Sequence, residues 1–385
     1  MKNSKPSMLS VVDSTRRAIF VSCIALTVGL TSCNPPKANN PSAGDGTSPS
    51  PNAGSPTTPG TVSTSPSGSG PNVGLNGAGA SFPAPLYETW FAEYYKKNPN
   101  IKINYQSVGS GAGVKQFIEG TVDFGASDVA MKDEEIAKVT KGVLLLPMTA
   151  GSIVLAYNLP GVEGLKLSRE AYADIFLGKI KKWNDPKIAA ANPTAKLPDK
   201  DITVIHRSDG SGTTGVFTKH LSAINEEWKK GPGEGKDVKW PTGNGAKGND
   251  GVTYLIKQTE GSIGYIEYGY AKNQGITMAS LENKAGKYVE ASTESSSKAL
   301  AAVKLPENFR AFIADPEGED SYPIVTYTWL LVYKKYDDPT KAKAMKDVIK
   351  WGLTDGQQFG DKLGYVPLPK EVVDQVSKAV DVISP

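Results

Sequence analysis

The sequence predicts an α/β protein of two lobes, carried on a disordered tether behind a short export signal. Three observations lead there. Strand patterns and helix patterns alternate from about residue 75 to the C-terminus. About 310 residues lie in that stretch, more than one hydrophobic core commonly serves. Before it come a segment built from residues that cannot pack and an apolar run too short to span a bilayer.

Residues 1–32 read as a signal peptide. A basic region ends in Arg16 and Arg17, and the apolar run AIFVSCIALTVGL follows at 18–30. A spanning helix needs roughly 20 apolar residues, and a signal-peptide core needs fewer. LTSC at 30–33 resembles the lipobox of bacterial lipoproteins, in which cleavage precedes the cysteine and its thiol takes the lipid. Cys33 is therefore the expected lipidation site, and the expected location is the extracytoplasmic face of a membrane (the periplasm, where there are two membranes). The arginine pair leaves Sec and twin-arginine export both open.

Residues 33–73 hold that cysteine and then little but Pro, Ser, Gly, Thr, Asn and Ala. Burial cannot offset the entropy of ordering such a segment. As a flexible coil, about 40 residues span on the order of 35 Å. That length suits a tether.

In the folded part, Leu86, Trp90 and Tyr94 recur at helical spacing behind Pro83 and Pro85, which a first helical turn tolerates. Ile101, Ile103 and Tyr105 alternate as a strand. Gly109, Gly111 and Gly113 lead into a short helix through Val114, Phe117 and Ile118. A strand is expected over 122–126 and a helix over 133–139, with acids in its first turn. Buried strands are expected at 143–146 and 153–157, and a strand at 202–205 precedes a helix at 213–221. The run IVTYTWLLVY at 324–333 is a long apolar strand, with helices expected at 340–352 and 370–381.

Composition removes several classes of function. Residues 1–32 carry four basic side chains against one acid, so the 43 basic and 40 acidic residues leave 39 of each beyond them. A neutral folded part has no basic face of the size nucleic-acid binding needs. The two cysteines, Cys23 and Cys33, both lie near the N-terminus, so the folded part has no disulfide, thiol nucleophile or thiolate metal site. With His206 and His220 the only histidines, no metal site is expected either.

Three loops share one form: a strand, small residues with hydroxyls, then a helix. They are GAGASF at 77–82, GSGAG at 109–113 and DGSGT at 209–213. A helix start offers free N–H groups and a positive dipole end. Glycines let an anion approach the backbone, and hydroxyls add donors. Three such loops point to a buried oxyanion. No G-x-x-x-x-G-K-[ST] or G-x-S-x-G occurs, which removes a nucleoside-triphosphate loop and a nucleophile elbow. Gly243, Gly245 and Gly248 fit G-x-G-x-x-G, but the segment follows no clear strand. His206 near Ser211 suggests no readable triad.

Longer motifs carry a resemblance. GAGASFPAPLYETW at 77–90, SVGSGAGVKQFIEGTVDFGASD at 107–128, LGKIKKWND at 177–185, RSDGSGTTGVFT at 207–218, WPTGNGAKGNDGV at 240–252 and GSIGYIEYGYA at 261–271 stand in order. Together they resemble the phosphate-binding proteins of bacterial high-affinity phosphate ABC transporters, from about Gly77 to the C-terminal helix. The resemblance implies a two-lobed periplasmic-binding-protein fold with the ligand in a cleft between the lobes. Residues 74–158 with 323–385 would form the first lobe and 159–322 the second. It implies a binding protein rather than an enzyme, a monomer without cofactor, and membrane permease subunits as partners. Another oxyanion, or a phosphate sensor on the same fold, stays open as an alternative.

The implied phosphate ligands are Ser81 and Phe82 from the first loop, Ser110 from the second, Asp128, Arg207, and Ser211, Gly212 and Thr213 at the third helix start. Ala80 stands in support, and Asp209 orients Arg207. Ser81 departs from the family's frequent threonine, with the same hydroxyl. His206 stands where a second arginine can occur, which weakens the positive field at the cleft mouth. The carboxylate has a use: an ionised Asp128 only accepts hydrogen bonds. Phosphate near neutrality still carries a proton to give it, and sulfate carries none. In a dry cleft the unmet pairing costs the wrong ion several kcal/mol.

Overall fold

A computed structural model describes residues 71–301 and 303–385. The expected signal peptide, Cys33 and nearly all of the tether lie outside them. Chain order is strand and helix in alternation. Among the described residues no helix is long and apolar enough to cross a membrane.

The first three strands are β1 (Val73–Gly79), β2 (Ile101–Ser107) and β3 (Phe124–Ser127), with β1 between the other two and parallel to both. β4 (Val143–Asn158) and β5 (Lys166–Leu167) follow, then β6 (Thr203–Arg207), β7 (Asn244–Ala246) and β8 (Ser262–Glu267). The last four are β9 (Thr277–Met278), β10 (Ser280–Glu282), β11 (Tyr288–Val289) and β12 (Val325–Tyr333). The main sheet runs β2-β1-β3-β12-β4-β8-β6-β7, with β9 also on β4, while β11, β10 and β5 form a small separate sheet.

β4 belongs to both halves of this sheet. Its residues up to Ser152 pair with β12, and from Ile153 onward they pair with β8. The two buried strands expected at 143–146 and 153–157 are thus one continuous strand. Pro147, which has no N–H for a ladder, is accommodated by a bulge. Thr328 pairs with Thr149 and Trp329 with Pro147, so Met148 is left over. Every residue of β12 is buried, as is every residue of β4 except Leu144 and Asn158. Burial on both faces explains why these strands read as continuous apolar runs.

The flanking helix Ala84–Lys97 buries Leu86, Tyr87, Trp90, Phe91 and Tyr94 against the sheet. Trp90 Nε1 donates to Gly356 O at 2.6 Å, which satisfies the indole inside the core. The helix expected over 133–139 is a single turn, Asp133–Ile136. The helix Ser110–Glu119 lies so close to β1 that a Cβ on Gly113 would come within 2.4 Å of Gly79 Cα. Only glycine permits that approach, and it brings the second glycine loop onto the end of β1.

Candidate anion-binding site

All three glycine-serine loops meet at the C-terminal ends of β1, β3 and β6. In the first, Ala80 N donates to Ala126 O at 3.0 Å, and the chain turns through Ser81 and Phe82 into the helix. Three consecutive carbonyls of this turn are held by tyrosines. Tyr105 donates to Ala80 O, Tyr270 to Ser81 O and Tyr365 to Phe82 O, each at 2.7 Å. The oxygens of the turn are thus committed to tyrosine hydroxyls. Phe82 N has no hydrogen-bond partner among the described residues.

In the second loop, Val108 N and Gly109 N both donate to Gly79 O, at 3.0 and 2.8 Å. Gly109 adopts φ 89°, a conformation that favours glycine, and Ser110 then opens its helix. In the third, Ser211 caps the helix Gly212–Ile224 by accepting from Thr214 N at 3.0 Å. That leaves the N–H groups of Gly212 and Thr213, like that of Ser110, without partners among the described residues. The loops touch across the two halves of the sheet, with Gly111 N donating to Gly210 O at 2.6 Å.

Arg207 ends β6. Its Nε and one terminal nitrogen grip both oxygens of Asp209, at 2.7 and 2.6 Å, and the other terminal nitrogen lies 3.4 Å from Thr213 Oγ1. The two-pronged pair fixes the guanidinium plane. Burial is the largest single influence on the Asp209 carboxyl and pulls it up. The Arg207 bond, the Arg207 charge and backbone N–H donors including Gly248 together outweigh it and hold the carboxyl below the usual carboxylate range.

Asp128, 1% exposed, is held at four atoms. Its N–H donates to Ser110 Oγ at 3.3 Å and its carbonyl accepts from Thr326 Oγ1 at 3.2 Å. Oδ1 accepts from Thr328 Oγ1 at 2.9 Å, and Oδ2 lies 3.5 Å from Thr213 Oγ1. Burial pushes this carboxyl up to about 7; Thr328, the Arg207 charge, Thr213 and Ser110 pull in the opposite direction. A carboxyl poised there shares a proton readily with a partner that titrates near neutrality.

The geometry therefore brings Ser81, Phe82, Ser110, Asp128, Arg207, Ser211, Gly212 and Thr213 to one enclosed place, with Ala80 and Asp209 behind them. It also adds residues that sequence reasoning missed. Asn249, fully buried, reaches Ser81 Oγ with both its backbone N–H and its side-chain amide, each at 3.0 Å. Since Ser81 Oγ accepts twice, its own proton is free to donate elsewhere. Asn249 sits at the start of the helix Gly248–Gln258, directly behind the GNGAKG stretch. That stretch is a glycine-rich approach to a helix start without the hydroxyls of the other three loops, and its glycines were the available signal. Thr328 and the three tyrosines carried no local signal. His206 packs on Trp240 with ring centroids 4.9 Å apart, outside the site. Among the described residues no cluster of His, Cys, Asp and Glu could hold a metal ion.

Helix starts from both halves of one sheet, gathered around a buried guanidinium, are the arrangement expected of a periplasmic-type solute-binding protein. The family model described as PBP superfamily domain matches residues 50–355. A phosphate-binding protein PstS of Pasteurella multocida is 47% identical over 306 residues, covering 78% of this chain and 88% of its own length. One from Haemophilus influenzae is 46% identical, covering 78% of this chain and 91% of its own. The chain belongs to the PstS family of phosphate-binding proteins. A high-affinity periplasmic phosphate-binding protein solved with bound phosphate shares the fold, with a TM-score of 0.67 at 21% identity, over 79% of this chain and 93% of that one.

Proposed function

We propose that this chain captures inorganic phosphate outside the cytoplasmic membrane and passes it to the membrane subunits of an ABC-type importer. The observation that carries the reading is the placing of a buried acid, Asp128, beside a buried guanidinium, Arg207, with N–H groups of Phe82, Ser110, Gly212 and Thr213 that have no partner among the described residues. The amides, the free Ser81 proton and the unoccupied N–H positions of Arg207 bind ligand oxygens. Asp128 accepts a hydrogen bond from the proton that phosphate retains, so a fully ionised tetrahedral anion meets an unmatched acceptor. Because Arg207 is already paired with Asp209, neutral dipoles carry much of the anion's charge.

In this reading the protein works by binding and release, without catalysis, as a monomer. Residues 74–158 with 323–385 act as one lobe and 159–322 as the other, and the ligand is held between them. Cys33 carries a lipid, and the Pro/Ser/Gly tether lets the folded part move above the membrane. The relatives that are phosphate-binding proteins support this reading.

Titration calorimetry of the full chain in detergent, with phosphate, arsenate and sulfate in turn, tests it. Tight binding of the first two and far weaker binding of sulfate is expected. No heat with orthophosphate would overturn it.

A further inference from the structure

Asp128 has two carboxyl oxygens, and the structure treats them differently. Oδ2 faces the start of the Gly212–Ile224 helix: a Cβ on Gly212 would lie 2.7 Å from it. Oδ1 faces away, to Thr328 Oγ1 at 2.9 Å. Thr328 is fully buried and lies at the one irregular step in the pairing of β12 with β4. A bulge re-aims the side chains beside it, and bulges gather next to binding sites. Two residues earlier, Thr326 holds the Asp128 carbonyl. β12 thus clamps the acid from behind with two threonines.

We propose that Thr328 is a specificity-determining residue of the anion site, pinning Oδ1 so that Asp128 meets the ligand through Oδ2 alone and as an acceptor. This rests on the phosphate-binding reading above.

The surroundings say why a neutral donor is needed. The titratable groups facing Asp128 are Arg207 at the end of β6, Glu267 at the end of β8, Tyr87 in the Ala84–Lys97 helix, Tyr105 on β2, and Tyr365. Arg207 favours the ionised acid, but its charge is shared with Asp209. Burial holds the tyrosines neutral and pushes Glu267 well up, so neither stabilises a carboxylate. The Tyr87 hydroxyl lies near Thr328 and Asp128 without the geometry of a hydrogen bond to either. Of all the influences that oppose burial, the Thr328 bond is the largest. Without it the Asp128 carboxyl moves further up, and over more of the neutral range it is a donor instead of an acceptor, a state that tolerates a proton-free anion.

The test compares Thr328→Val, Thr328→Ala and Thr328→Ser with the wild type, in the full chain, by calorimetry with phosphate and sulfate from about pH 6 to about pH 9. The valine and alanine variants should lose about tenfold or more in the ratio of phosphate to sulfate affinity, since a hydrogen bond to a charged group is worth that much. Their phosphate affinity should peak at higher pH than the wild type's. Serine, which keeps the hydroxyl, should restore both. If the wild type binds phosphate and a folded valine or alanine variant keeps both the ratio and the pH profile, the inference fails. If the wild type binds none, the earlier reading fails instead.

Discussion

Asn249 spends two donors on one atom. Its backbone N–H and its side-chain NH2 both point at Ser81 Oγ, at 3.0 Å each, while its side-chain oxygen Oδ1 accepts from Glu267 N at 3.0 Å. The arrangement ties the start of one helix to the turn before another, across the two halves of the sheet. It also leaves the serine's own proton free to donate.

Replacing Asn249 with alanine keeps the backbone bond and removes the amide. About 2 kcal/mol of hydrogen bonding is lost, including the partner of the Glu267 amide. Phosphate affinity should fall by about tenfold or more. Calorimetry reads this directly, and an unchanged dissociation constant would show that the clasp does not support the anion site.

Asp128→Asn replaces an acceptor with a group that both donates and accepts. Binding of phosphate should weaken, and the preference for phosphate over sulfate should shrink by about a hundredfold, as the repulsion of several kcal/mol disappears. Competition between the two anions measures it. A variant that rejects sulfate as firmly as before would refute the role of the carboxylate.

Gly212→Ala should abolish tight binding with the fold intact. The new Cβ would meet Ser110 Oγ at 2.4 Å and Asp128 Oδ2 at 2.7 Å, so the helix start could not approach the acid. Circular dichroism should match the wild type while phosphate no longer raises the melting temperature.

His220 sets an acid limit on stability. Its Nδ1–H donates to Ala314 O at 2.8 Å, so its Nε2 accepts from the Tyr172 hydroxyl at 2.7 Å, and the ring is neutral. Burial lowers it from 6.5 to about 4. Between those values the unfolded chain binds the proton and the folded chain does not. Stability is therefore complete above the unfolded value and falls as pH drops toward 4, by at most about 3 kcal/mol. His220→Gln should flatten that slope in urea unfolding at a series of pH values. An identical slope would place the acid sensitivity elsewhere.

Much of the fold could be read from periodicity, because Leu86, Trp90 and Tyr94 or Ile101, Ile103 and Tyr105 announce a helix and a strand by spacing alone. The continuity of β4 could not. Pro147 and Gly151 break its apolar run, and only the register with β12 reveals that a bulge absorbs the proline. β7 has three residues, too few to show alternation, so the loop that delivers Asn249 looked unattached to any strand. Thr328 was hidden differently. Within IVTYTWLLVY a threonine is ordinary β-branched filling, and its partner lies 200 residues away in sequence. The candidate anion ligands stood out because their loops repeat a chemical form. The residues that orient them repeat nothing.

Where β4 changes partners, Ile153 N donates to Ile324 O at 2.9 Å, immediately before β12 begins. Outgoing and returning chain thus cross side by side as a hydrogen-bonded ribbon. Such a ribbon twists and flexes out of its plane without breaking a rung, and it resists shear within it. On the two-lobe reading proposed above, opening of the anion site should behave as elastic bending with a built-in restoring force, in place of a free swivel.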